Sequence, residues 1–445
     1  MTEPQQRLDT WLAARPHLTD VHIAITDLNG CLRGKRVPRK FLTATTRMPL
    51  SLSLQDIWGR DTAGTAPLDD GDPDGIAEPT GRQIETPWSG GRTALILCAL
   101  AAGDGGPSPY DPRHLLARQA ARAAALGLTP VIGQELEFHL TDGASPPGLP
   151  VAPDTRRTLT KDGIHSLDDL ERFAPFFTAL YAAAEAAGIP AATAISESAT
   201  GQFELTLAHG RDPLRAADDA VLLRRIIRGT ARAQGHGATF MAKPFGAAAG
   251  NGFHVHLSLL DGNGRNIFAD PDTGDRMLGH AVAGCLTAMP ATQLIFAPHV
   301  NSYRRMQPGN HAPVTAAWAR ENRYAALRIP GGAAQARRIE HRVAAGDANP
   351  YLVLAAILGA ALNGLEARKD PPPPRRGNLY AQQDSAPKLP ATWSAAQAAF
   401  AESPIPAGLF GADLTQALLK IKAQEAARFA TDVSPFEHQT YLDTP

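Results

Sequence analysis

The sequence predicts an α+β fold in two unequal parts: residues 1–106, dominated by strands, and residues 107–445, where strands and helices succeed one another. Three observations carry this reading. Apolar and polar residues alternate with a period of two before residue 102. The segment 103–112 (GDGGPSPYDP) is dense in turn formers and reads as a linker. Beyond it, helix caps and short alternating strands follow in turn.

In chain order, residues 21–25 (VHIAI) alternate as a strand, Asn29-Gly30 supplies a hairpin turn, and the basic segment LRGKRVP returns as its partner. Residues 60–92, rich in Gly, Pro and Asp, read as loop, and 92–102 as an apolar strand. Asp111 is an N-cap and Pro112 a first helical residue for a helix over 113–126, which Gly127 ends. A strand over 129–140, a helix near 168–187, a strand over 202–208 and a long helix over 213–234 follow. Strands over 238–242 and 253–259 come next. Asn349-Pro350 caps a helix over 351–368, which the run Pro371–Pro374 stops. No internal repeat is visible.

Composition narrows the function classes. The 445 residues carry 43 Lys+Arg against 44 Asp+Glu, a net charge of −1, which argues against a protein that wraps nucleic acid. At 44% hydrophobic and 20% charged, the chain is built to bury a sizeable core. Cys31, Cys98 and Cys285 are odd in number and far apart, which excludes a disulfide framework and a cysteine-based zinc site and fits a reducing compartment. The longest apolar run, 94–102, is too short to cross a bilayer, and the polar, acidic N-terminal stretch does not read as a signal or transit peptide. The expectation is a cytoplasmic enzyme with no membrane or nucleic-acid partner.

Four short segments alternate and carry acids, imidazoles or guanidiniums on their polar face. In GQELEFHL, Glu135 and Glu137 point one way and Leu136 and Phe138 the other. In GQFELTL, Glu204 opposes Phe203 and Leu205, with Glu197 upstream. In GFHVHLSL, His254, His256 and Ser258 share a face. In RRIEHRV, Arg338, Glu340 and Arg342 do. One such strand is ordinarily a solvated edge; four with apolar opposite faces point to a site. Glu135, Glu137, Glu197, Glu204 and Glu340 with His254 form an oxygen-rich donor set that suits Mg²⁺ or Mn²⁺, enough for two ions, whereas zinc has neither HExxH nor Cys to hold it. Carboxylates gathered this closely raise one another's pKa unless cations neutralise them. Arg305, Arg323, Arg328, Arg338 and Arg342 cluster in one stretch, although only eight of the 43 basic residues are Lys, so part of this arginine content is background. Divalent ions beside several guanidiniums are what transfer of a charged phosphoryl group requires. Neither Gly30-x-x-x-Gly34-Lys35-Arg36 nor Gly246-x-x-x-Gly250-x-Gly252 matches a P-loop or dinucleotide fingerprint.

Taken in order, DLNGCLRGKRVP, GQELEF, ESATGQFE, TFMAKP, GNGFHVHLS, NSYRRMQPG, NRYAALRIP, RRIEHR and DANPYL resemble the glutamine synthetase superfamily over nearly the whole chain. The resemblance implies a small N-terminal β-grasp domain and a larger α/β catalytic domain with a curved antiparallel sheet. It implies Glu137, Glu197 and Glu204 as ligands of one metal ion, and Glu135, His254 and Glu340 as ligands of a second. It implies that the Gly250 backbone, Arg305 and Arg342 hold glutamate, that His256, Ser258 and Arg338 contact the phosphates of ATP, and that Arg323 and Arg328 stabilise the transferred phosphoryl group. The implied assembly is a dodecamer of two hexameric rings with active sites shared between subunits.

Departures from the family concern the acceptor. True glutamine synthetases carry an Asp-Gly-Ser-Ser segment that helps bind ammonium, where this chain reads SLQDIWGRDTAG, and a flap Glu, where it has His311. Ala249 replaces an Asn of the glutamate loop and Gln335 a Lys before the RRIE segment. GNLY, PKLPATWSAAQAAFAES, VSPFEHQTYL and FMAKP are more similar to the γ-glutamylputrescine and γ-glutamylpolyamine synthetase branch. The expected function is therefore an ATP-dependent ligase joining the γ-carboxylate of glutamate to an organic amine through γ-glutamyl phosphate. His311 would take the amine's proton, and Trp58 in the replaced segment would form an aromatic wall for its carbon chain. The alternatives are an ammonia-assimilating glutamine synthetase and a catalytically inactive ring protein.

Overall fold

A computed structural model of the chain describes residues 3–43, 45–382 and 386–444. The first part is a mixed five-stranded sheet of the β-grasp kind. Its strands are β1 (Asp20–Thr26), β2 (Leu32–Pro38), β3 (Thr46–Pro49), β4 (Asp74–Glu85) and β5 (Thr93–Ala101), in the order β2-β1-β5-β4-β3. The β1–β2 hairpin turns at Asn29-Gly30 as expected, and β1 runs parallel to β5. Residues expected to be loop contain the twelve-residue β4 instead. Its Gly and Pro content is absorbed by a bulge between Pro79 and Arg82, the place where a sheet tolerates a missing N–H.

The two faces of this sheet have different partners. Val21, Ile23, Ile25, Ile96, Cys98 and Leu100 pack with Leu8 and Leu12 of the N-terminal helix Glu3–Ala13. Ala24, Leu95 and Leu97, on the opposite face, join the main core of the chain. Both faces being covered, β5 is buried along its whole length.

The larger sheet holds β6 (Thr129–Thr141), β7 (Ala191–Ser196), β8 (Gln202–Gly210), β9 (Gly237–Thr239), β10 (Phe253–Leu260), β11 (Trp318–Arg320), β12 (Leu327–Ile329) and β13 (Ile339–His341). The order is β11-β12-β13-β10-β6-β8-β7, with β9 paired to β6. All pairs are antiparallel except β11–β12. Three expected elements are shorter or broken. The helix near 168–187 is two helices, Leu167–Arg172 and Ala174–Ala186, because Pro175 cannot donate to the preceding turn. The strand expected over 238–242 is limited to Gly237–Thr239, and the RRIEHRV strand to Ile339–His341.

Helix Pro213–Ala233, capped by Asp212, and helix Pro350–Ala367, capped by Asn349, pack beneath the apolar face of this sheet, where Leu136, Phe138, Phe203, Leu205, Phe253 and Val255 lie. Among the described residues one helix, Pro350–Ala367, is long and apolar enough to cross a membrane, and it is the buried core helix of this fold.

Candidate active site

Strand register builds the site. Directly opposed residues of antiparallel strands share a face. His254 lies opposite Glu135, Glu204 opposite Glu137, Glu340 opposite His256, and Arg328 opposite Glu340. One face of four adjacent strands and their neighbour β12 therefore carries Arg328, Glu340, His256, His254, Glu135, Glu137 and Glu204.

The side chains meet as that register requires. Glu135 accepts from both imidazoles, at 2.9 Å from His254 Nδ1 and 2.8 Å from His256 Nε2. His254 Nε2 lies 3.8 Å from Glu137 Oε1. The two oxygens of Glu340 are taken by two guanidiniums, Arg328 at 2.6 Å and Arg342 in a short contact. Arg338 Nε donates to His256 Nδ1 at 3.1 Å. Glu135, His254 and Glu340 place ligand atoms within 4.8 Å of one another, and so do Glu137, Glu204 and His254. His254 thus stands at the junction of both groups. Glu197 falls in neither and is coupled to them through its charge.

The electrostatics divide the carboxylates. Burial pushes Glu135 and Glu340 up, but the imidazoles at Glu135, and Arg342 with the imidazoles at Glu340, outweigh it and hold both below the ordinary range. At Glu204 the compensation is too small: burial, then Glu135, Glu137 and Glu197, outweigh Arg342 and raise it to about 10. Burial and Glu137 raise Glu197 to about 7. A buried group of acids left short of positive charge is what a divalent cation corrects. A carboxylate has about four acceptor positions, so Glu340 has room for a cation beside its guanidiniums. The donor set of carboxylates and one imidazole fits Mg²⁺ or Mn²⁺.

The loop before β10 closes one end. Gly252 N donates to Glu137 Oε2 at 2.5 Å. A Cβ on Gly250 would meet the Ala242 carbonyl at 2.3 Å and Arg305 Cγ at 3.0 Å; one on Gly252 would sit 2.8 Å from Arg305 Nη2 and 3.0 Å from His254 Nε2. Only glycine lets this backbone approach both the arginine and the imidazole. Arg305, 3% exposed, donates to Val343 O at 3.0 Å, and Arg342 Nε to Arg323 O at 3.1 Å.

At the other end, a cleft of about 610 Å³ opens from Glu135 and is lined by His256, Ser258 and Arg338, the three residues assigned to ATP in the sequence. His209 and Arg211, near the end of β8, line it too and escaped sequence analysis, although they follow Glu204 by only five and seven residues. Sequence analysis also missed a buried polar brace. Gln202 Nε2 donates to Gly250 O at 3.0 Å and Asn251 Oδ1 at 3.2 Å, and His139 Nδ1 lies 2.8 Å from the same Asn251 oxygen. Their signal was a polar residue inside an apolar strand.

Arg323 and His311 are exposed, His311 on a loop with a left-handed backbone. Arg428, of the helix Ala412–Phe429, lies 4.5 Å over the Trp58 ring and Phe429 packs at 5.4 Å, while the side chain stays 38% exposed. That helix, Ala412–Phe429, is pinned to the same region by a buried cluster. Lys422 pairs with Glu425 at 2.9 Å, and Glu425 accepts from Asn29 Nδ2 at 2.9 Å and Ile57 N at 2.8 Å. Asp56 is spent on its own loop and on Gln424.

Residues 109–441 match the family model described as the glutamine synthetase catalytic domain. The chain belongs to the glutamine synthetase family. It is 38% identical over 375 residues to γ-glutamylputrescine synthetase PuuA of Escherichia coli K12, covering 81% of this chain and 79% of that protein. It is 35% identical to γ-glutamylethanolamide synthetase GlnA4 of Streptomyces coelicolor, over 66% of this chain and 63% of that protein. A solved structure of GmaS in complex with ADP superposes with a TM-score of 0.82 at 27% identity, covering all of both chains.

Proposed function

We propose that the protein is an ATP-dependent ligase that joins the γ-carboxylate of L-glutamate to an organic amine through a γ-glutamyl phosphate. One observation carries this reading: a single sheet face sets two carboxylate–imidazole groups between a cleft of nucleotide size and a pair of buried arginines beside a glycine loop. The relatives named for putrescine and ethanolamide products support an organic acceptor.

His256, Ser258 and Arg338 hold the ATP phosphates in the cleft, and Gly250, Arg305 and Arg342 hold glutamate so that its γ-carboxylate faces the γ-phosphate. Arg323 and Arg328 neutralise charge on the phosphoryl group in transfer. Glu135, His254 and Glu340 would hold one Mg²⁺ or Mn²⁺, and Glu137, Glu204 and Glu197 the second; these ions supply Lewis-acid neutralisation of the phosphates when bound. His311 takes the proton of the incoming amine on its imidazole. The second half-reaction breaks the acyl-phosphate bond, forms the amide and releases phosphate. The assembly we propose is a double hexameric ring with sites shared between subunits.

The test is phosphate release from ATP in the presence of glutamate, screened across ammonium and primary amines. Release that needs both glutamate and an organic amine is expected. Ammonium as the best acceptor, with amines near background, would place the protein among ammonia-assimilating enzymes.

A further inference from the structure

We propose that Tyr324 and Tyr380 form the wall that selects a carbon-bearing ammonium over free ammonium, an inference that rests on the ligase reading above. Their rings pack against each other at 5.0 Å between centroids with an interplanar angle of 54°. The pair is bounded on two sides by residues of the site. Tyr380 Oη donates to the carbonyl of Ala312, next to His311, at 3.2 Å. On the other side, Arg342 donates to the carbonyl of Arg323, the peptide that leads into Tyr324. Tyr380 also lies within the field of Arg305 and Arg342. The rings are therefore tied, through Ala312 on one side and Arg323 on the other, to the flap that carries His311 and to an arginine assigned to glutamate, and the amine's approach is assigned to them.

Chemistry explains why rings suit that place. Guanidiniums on this side repel an incoming cation. A tyrosine face attracts an ammonium through its quadrupole without adding a carboxylate that would pair with those arginines. The same face gives methylene groups apolar contact, which free ammonium has none to use. Tyr324 is 38% exposed, a large aromatic side chain held out of the core by a turn in which its N–H bonds Asn322 Oδ1 at 3.0 Å.

The experiment compares kcat/KM for ammonium, methylamine, ethanolamine and putrescine in the full-length wild type, Tyr324→Phe and Tyr324→Ser. The readout is the ratio of the best organic amine to ammonium within one preparation, so that any unfolded fraction cancels. Tyr324→Ser is expected to lower that ratio about tenfold, the scale of the apolar contact of one or two methylene groups, and Tyr324→Phe to keep it. If Tyr324→Ser is insoluble, Tyr324→Asn is read the same way. An unchanged ratio in an active serine or asparagine variant overturns the tyrosine wall and leaves the ligase reading standing. A wild type that releases no glutamate-dependent phosphate with any acceptor overturns the ligase reading, and the wall with it.

Discussion

Strands β5 and β6 each lie inside their sheet, and both are largely buried, but for opposite reasons. β5 is apolar on both faces because two hydrophobic cores sandwich it. β6 is apolar on one face only; its other face carries Glu135 and Glu137, covered by imidazoles, carboxylates and guanidiniums from its neighbours. Burial therefore does not mark the active sheet. What marks it is a buried ladder of ionisable groups whose charges fail to cancel.

Changing one ladder residue gives the sharpest form of this contrast. Glu340→Ala removes a candidate ligand and frees Arg328 and Arg342 together. Its kcat is expected to fall by about a thousandfold or more, the scale of several kcal/mol of lost transition-state stabilisation, while far-UV circular dichroism stays native. Turnover within tenfold of wild type, with Mg²⁺ or Mn²⁺ present, would break the comparison. The N-terminal sheet and the helix pinned to it, Ala412–Phe429, should respond the other way. Lys422→Ala leaves Glu425 buried without its cation and is expected to cost about 3–5 kcal/mol of stability. Leu97→Ala, in β5, is expected to cost about 2–5 kcal/mol through a cavity. Both should lower Tm while kcat per folded protein stays near wild type; a loss of kcat without a loss of Tm would contradict this.

Arg342→Lys keeps the charge and loses the planar fork, so the KM for glutamate should rise about tenfold with a smaller change for ATP. A larger rise for ATP would move Arg342 to the nucleotide. The smallest effect is thermal. Glu204 and Glu197 hold protons near neutral pH because their pKa values are raised to about 10 and about 7. Divalent cation binding must expel protons, so affinity for Mg²⁺ or Mn²⁺ should tighten as pH rises from 6 to 8. Calorimetry in buffers of different ionisation enthalpy measures the release, and a buffer-independent heat at pH 7 would show that these carboxylates are already ionised.

Much of the site was legible because alternation is local. Glu135 with Glu137, and His254 with His256, share a face whatever the rest of the chain does. The helix caps at Asp111 and Asn349 were of the same kind, with a side chain accepting from the next turn. Strand β4 was missed because Gly and Pro signal a loop unless a neighbouring strand absorbs them in a bulge. The contact of Trp58 with Arg428 was hidden for a longer-range reason: the two lie 370 positions apart along the chain.

The sequence by itself determined which side chains lie on one face of each strand and, through the order of its segments, the family. Both follow from covalent spacing. The tertiary structure decided which strands lie side by side and in what register. Glu135 meets His254 across 119 residues, and Asn29 meets Glu425 across 396. Contacts at such separations come from packing apolar faces onto shared helices, and no local period encodes them. That packing placed His254 between the two carboxylate groups, gave Glu340 two guanidiniums, set Arg428 over Trp58 and stood Tyr324 against Tyr380.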